Sequence, residues 1–253
     1  MVQLQRLAIA SSQLLLSHLS LTPEQHHYLC RVLRLGAGDR FIAMDGQGHW
    51  WLAELGADAS QAQVLEQLPI QHELPIAVLL LVAMPKGNGM DDIVRQATEL
   101  GVAAIVPILS DRTLLQPSPQ KLDRWRRIAQ EAAEQSERQM IPELFEPHPW
   151  SQALARWHQA NADAYLCEAR GNYLPLLNVL QSRRHPAQLP TLPDSAIVIA
   201  TGPEGGWTES EIAAAIAAGY TPVSLGRRVL RAVTAPLVAL ALIAASLESS
   251  CTP

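Results

Sequence analysis

A chain of 253 residues, 48% apolar and 17% charged, holds enough core material for one large domain or two smaller ones, which excludes a disordered polymer. A formal net charge of -5 excludes a protein that coats nucleic acid through bulk charge, leaving only recognition through local clusters. Three dispersed cysteines, Cys30, Cys167 and Cys251, exclude a disulfide framework and paired metal-ligand spacing, and fit a reducing cytoplasm.

The first 70 residues read as short alternating segments punctuated by glycine. Thr22-Pro23-Glu24-Gln25 predicts a short helix, with a threonine cap and proline in the first turn, ending near Leu35-Gly36. Residues 40–55 predict two strands around a turn, because Asp45-Gly46 is a strong hairpin signal. A small β-rich domain over 1–70 is expected, followed by a larger one over 74–253.

From Leu74-Pro75 the pattern changes. Residues 76–83 form an unbroken apolar run, as expected for a strand buried on both faces of a parallel sheet. A helix over 90–100 closed by Gly101, a strand over 104–109 and a long helix over 119–137 follow. Further strands are predicted over 164–167, 195–200 and 221–225, with helices between them and a surface loop around 182–193. This alternation predicts an α/β domain with a mainly parallel sheet. The apolar stretch 232–247 is too short to span a membrane and contains Pro236, so a buried helix is expected there. No secretory leader is expected either, because the first residues lack a basic region followed by an apolar core.

In such sheets ligands bind at the carboxyl ends of strands. Two predicted strand ends, taken as neighbours, carry unusual loops. One is Thr201-Gly202-Pro203-Glu204-Gly205-Gly206, running into a helix start with the pattern of a capping box, Thr208 with Glu211. Its glycines allow close backbone approach to a ligand, but the spacing is neither Gly-x-Gly-x-x-Gly nor a Walker loop, and Glu204 disfavours phosphate. On pattern alone it is either a glycine turn or a site for a neutral or cationic ligand. The other is Leu225-Gly226-Arg227-Arg228-Val229-Leu230-Arg231, whose arginines face either solvent or an anion.

Together, near the carboxyl terminus and in this order, the two loops resemble the knotted α/β methyltransferases of the SPOUT superfamily, and more narrowly the RsmE family of 16S rRNA (uracil-N3)-methyltransferases. Three further blocks carry the resemblance along the chain. These are His26-His27 to Val32-Leu33-Arg34 with Gly38-Asp39 and Asp45-Gly46; Lys86-Gly87 with Gln96 to Val102; and Glu131 to Arg138 followed by Pro142. The resemblance implies a PUA-like RNA-binding domain ahead of a deep trefoil-knotted methyltransferase domain that forms homodimers. It implies S-adenosylmethionine as methyl donor, held by Leu166, Cys167 and Glu168, by Thr201, Gly202, Pro203, Glu204, Gly205 and Gly206, and by Leu225, Gly226, Arg228, Val229 and Leu230. The partner implied is 16S rRNA of the small ribosomal subunit, in the cytoplasm, without metal or membrane. One position departs from the family pattern: Val233 stands where a carboxylate is usual.

Alkylating a uracil N3 requires loss of its imino proton. Arg231 and Arg138 are candidates to stabilise the resulting anion, and Glu204 to accept the proton. Arg31, Arg34, Lys86, Arg124 and Arg127 are candidate RNA contacts. N3 alkylation needs no covalent enzyme step, so Cys167 is read as a plain strand cysteine. A knotted enzyme acting on tRNA and an RNA-binding assembly factor that has lost chemistry are the rival readings. A nicotinamide dehydrogenase is a distant third, for want of a glycine fingerprint after the first strand.

Overall fold

The computed structural model describes residues 4–58, 60–69, 72–113, 117–157, 162–182 and 196–249. The chain divides into two compact units: Met1–Glu73 with Ala133–Ile141, and Leu74–Ala132 with Pro142–Pro253.

The first unit holds β1 (Arg6–Ala8), β2 (Leu14–Leu15), β3 (His18–Ser20), α1 (Pro23–His27), β4 (Arg40–Met44), β5 (Trp50–Leu55) and β6 (Gln61–Leu68). Among the described residues these strands form one sheet in the order β1-β4-β5-β6-β3-β2, antiparallel except for the β1–β4 pair. The expected cap of α1 is present: the Gln25 N–H donates to Thr22 Oγ1 at 3.2 Å, and the Thr22 N–H to Gln25 Oε1 at 2.9 Å. After His27 the helix widens into a π-helical turn over Tyr28–Val32. The β4–β5 connection is a five-residue loop and not a tight two-residue turn, because Asp45 organises it with its side chain. That carboxylate accepts from the Gln47 and His49 N–H groups at 2.8 and 3.1 Å. Gly46 has φ 70°, and a Cβ there would meet Ile141 at 2.7 Å, so the position requires glycine twice over. Glu73 ties the returning segment down: its carboxylate accepts from the Arg138 guanidinium and from the N–H groups of Gln139 and Met140.

The second unit runs β7 (Ala77–Ala83), α2 (Gly89–Glu99), β8 (Ala104–Leu109), α3 (Pro119–Gln135, whose last turn belongs to the first unit), β9 (Glu143–Leu144), β10 (His148–Pro149), α4 (Trp150–Trp157), β11 (Ala162–Cys167), α5 (Leu176–Ser182), β12 (Ala196–Thr201), α6 (Glu209–Ala217), β13 (Thr221–Val223) and α7 (Thr234–Glu248). Its strands are all parallel, in the order β10-β8-β7-β12-β11-β13, with β9 also on β8. The central strands β7 and β12 are buried almost throughout, which is why they read as unbroken apolar runs. The 183–193 part of the predicted surface loop lies outside the described residues. In α7, Ala239, Leu240, Ile243 and Leu247 are buried in this chain's own core, whereas Leu242 is half-buried. Among the described residues no helix is long and apolar enough to cross a membrane.

Register fixes which strand ends meet. Thr201 pairs with Val82 and with Cys167, and Cys167 pairs with Val223. The carboxyl ends of β7, β12, β11 and β13 therefore lie level along one edge. The two loops singled out in the sequence leave β12 and β13, which are not neighbours: β11 stands between them.

Candidate functional site

Loops from these strand ends surround an open cleft of about 800 Å³, solvent space at its mouth included. From β11 come Cys167, Glu168, Ala169 and Arg170. From β12 come Gly202, Pro203, Glu204, Gly205, Gly206 and Trp207. From β13 come Leu225, Gly226, Arg228, Val229 and Leu230, joined by Ala232 and Ala235 beside the start of α7 and by Arg112 beyond β8.

Each loop is held by its own contacts. Trp207 is buried, stacks on Trp150 with ring centroids 4.6 Å apart, and donates its indole N–H to the Cys167 carbonyl at 3.2 Å. A Cβ on residue 202 would come within 3.0 Å of that indole nitrogen, so glycine at 202 lets the tryptophan lock the β12 loop to the end of β11. The Gly206 N–H donates to the Pro203 carbonyl at 2.9 Å and Gly206 has φ 70°, which closes a turn. The capping box at the head of α6 is complete. The Glu211 N–H donates to Thr208 Oγ1 at 3.2 Å and the Thr208 N–H to Glu211 Oε2 at 2.8 Å. In the β13 loop Gly226 has φ 115° and its N–H donates to Ser224 Oγ at 3.1 Å.

The lining is mixed in charge. Glu168 is buried and accepts from the Arg170 N–H at 2.7 Å. Glu204 is exposed, and its Oε1 accepts from the backbone N–H of Lys86 at 2.8 Å, tying the β12 loop to the loop after β7. Burial, reinforced by the neighbouring Glu168 carboxylate, pushes the Cys167 thiol well above its ordinary range, so it carries no thiolate at neutral pH. Among the described residues no group of three or more His, Cys, Asp or Glu side chains is arranged to hold a metal ion.

Most of the residues proposed from sequence for the methyl donor meet in this one cleft. Leu166 and Thr201 do not line it; both are fully buried within their strands. Arg231 is exposed at the exit of the β13 loop, and its carbonyl accepts from the N–H groups of Thr234 and Ala235. Arg138 belongs to the first unit, where its guanidinium is buried against Glu73, and it is not among the lining residues. Arg31 and Arg34 are exposed on the first unit, Arg34 at φ 61°. Arg124 is ion-paired to Asp91 at 2.6 Å, a contact between α3 and α2, while Arg127 and Lys86 are exposed. Reasoning from sequence missed Arg112, Arg170 and Trp207. The available signal for Arg112 was its place directly after a strand of the parallel sheet.

A model of the RNA methyltransferase domain matches residues 72–244, and one of the RNA methyltransferase PUA domain matches residues 21–66. The chain is 50% identical to ribosomal RNA small subunit methyltransferase E of Synechocystis over 96% of its own length and 78% of that protein's. It belongs to the RsmE family of RNA methyltransferases. The family protein of Bacillus subtilis is 32% identical, with 90% of each chain covered. Among solved structures, the family enzyme of Neisseria gonorrhoeae bound to S-adenosyl methionine superimposes with TM-score 0.83 at 29% identity, over 95% of this chain and 97% of that one. A Legionella pneumophila methyltransferase in complex with the same cofactor gives 0.80 at 26%, over 97% and 98%. Family membership brings with it the architecture expected from sequence: a PUA-like β domain and a SPOUT α/β domain with a parallel sheet.

Proposed function

We propose that the cleft at the ends of β11, β12 and β13 binds S-adenosylmethionine and that the chain methylates N3 of a uridine in 16S rRNA of the small subunit. The observation that carries this reading is the convergence of the three family loops on one cleft. Glycine backbone walls that cleft, and it carries both carboxylates and arginines. Such a lining fits a donor with a sulfonium, an ammonium and a carboxylate better than it fits a polyphosphate. When bound, the donor supplies the methyl group. Gly202, Gly205 and Gly206 offer close backbone approach, Val229 and Leu230 an apolar wall, and Glu168 a buried anion.

Arg231, exposed where the β13 loop ends, is our candidate to stabilise the uracil anion. Glu204 is committed through Lys86 to ordering two loops, and we assign it that role in preference to proton transfer. Arg138, bound to Glu73, is assigned to the architecture of the first unit. Arg31, Arg34, Lys86 and Arg127 remain candidate RNA contacts. The family's trefoil knot, a homodimer built on α7 and a cytoplasmic location are parts of the same proposal. Val233 packs half-buried against Gly89 at the head of α2 and is the N-cap of α7. A carboxylate at 233 would therefore sit near two helix N-termini, where it orders backbone, so activity is expected to survive valine here. Calorimetry with S-adenosylmethionine tests the cofactor assignment: saturable binding supports it, and no binding at millimolar cofactor contradicts it.

A further inference from the structure

We propose that Arg112, on the loop after β8, is a positioning residue that clamps the β12 glycine loop in its cofactor-binding shape; this rests on the cleft being the S-adenosylmethionine site. Three observations carry it. The Arg112 guanidinium donates to the Gly205 carbonyl, and the side chain lies across residue 205 so closely that a Cβ there would meet Arg112 Cδ at 2.9 Å. The clamp stands on a fixed base. The Ser110–Thr113 turn is closed by the Thr113 N–H donating to the Ser110 carbonyl at 2.9 Å, and by hydroxyls 2.8 Å apart. Between them, the Asp111 N–H donates to Glu211 Oε1 at 2.9 Å, and Thr208 Oγ1 donates to Asp111 Oδ2 at 3.2 Å. The same two residues, Thr208 and Glu211, cap α6, so the turn that presents Arg112 and the helix that follows the glycine loop are one hydrogen-bonded assembly. Arg112 lines the cleft, and among the described residues no carboxylate pairs with it. Its charge is therefore directed to a backbone carbonyl, as expected where the purpose is to fix a loop.

A guanidinium suits this role because its planar donor edge holds one orientation, whereas an ammonium provides a point charge on a flexible stem. Gly205 does not have a positive φ, so glycine there serves the close approach of Arg112 and not backbone freedom. Loss of a charge-assisted bond of this kind is expected to weaken the donor's binding about tenfold.

The test uses the full chain, with cofactor affinity measured by calorimetry and turnover measured on small ribosomal subunits. Arg112→Ala is expected to raise the dissociation constant and KM for S-adenosylmethionine about tenfold while kcat falls less than about threefold, with Arg112→Lys intermediate. Gly205→Ala is expected to weaken binding about tenfold alone, but less than about threefold when added to Arg112→Ala, because the obstructing side chain is gone. Wild-type affinity in Arg112→Ala overturns the clamp, and so do fully multiplicative effects of the two substitutions. Failure of the wild-type chain to bind the cofactor at all overturns the cofactor assignment together with the clamp.

Discussion

Cys167 shows how burial decides chemistry at the scale of one residue. It lines the cleft, yet its thiol is held protonated, so iodoacetamide at pH 8 should label half-buried Cys30 in the native chain and leave Cys167 unmodified by peptide mass mapping. Equal labelling of both would contradict the assignment. Glu204 is expected to behave as a loop tie. Glu204→Gln keeps an acceptor for the Lys86 N–H and should retain turnover within about threefold, whereas a loss of about a hundredfold or more would return it to proton transfer. Val233→Glu should change turnover less than about threefold; a large gain would mean that the valine impairs the enzyme. The roles of Glu204 and Arg138 were not legible in the sequence. Their partners, the Lys86 backbone and Glu73, lie 118 and 65 residues away along the chain.

Helices and long strands were legible because their signals are local. Thr22 with Gln25 and Thr208 with Glu211 announce caps within four residues, and the apolar runs of β7, β8 and β12 announce burial on both faces. Of the two- and three-residue strands only β13 was read in sequence, as part of 221–225, whereas β1, β2, β3, β9 and β10 carry no period to read. Sheet order was also hidden, since nothing in β12 itself says that it inserts between β7 and β11. The last helix illustrates the difference between composition and partner. Its apolar character predicted burial, and the structure assigns Ala239, Leu240, Ile243 and Leu247 to the chain's own core, leaving exposed Ala241 and Ala245 on another side. If that side meets a second copy, light scattering will report about twice the 27.6 kDa chain mass, and Ala241→Glu with Ala245→Glu will shift it to monomer. A wild-type chain that is monomeric at tens of micromolar would contradict the dimer.

Across the whole molecule, burial of acidic groups sets an alkaline limit. Burial pushes Tyr165 from 10.0 up to about 12, and raises Tyr220 and Cys167 above their ordinary 10.0 and 9.0. Each is raised in the folded state, so its contribution to stability is complete below the ordinary value and is lost as pH climbs towards the folded one. The thermal midpoint should hold up to about pH 9 and fall progressively from there to pH 12; a flat profile to pH 11 would contradict these burials. The same parallel sheet places the family loops at one edge, where a β12 glycine turn and a β13 arginine cluster, each ambiguous alone in sequence, become walls of one cleft. The most direct measurement of the central claim is to incubate the purified chain with S-adenosylmethionine and small ribosomal subunits lacking the modification, then map methylated nucleosides by mass spectrometry. The expected product is 3-methyluridine at a single position of 16S rRNA, dependent on the cofactor. Methylation of tRNA instead, of another atom, or of nothing despite bound cofactor would contradict it.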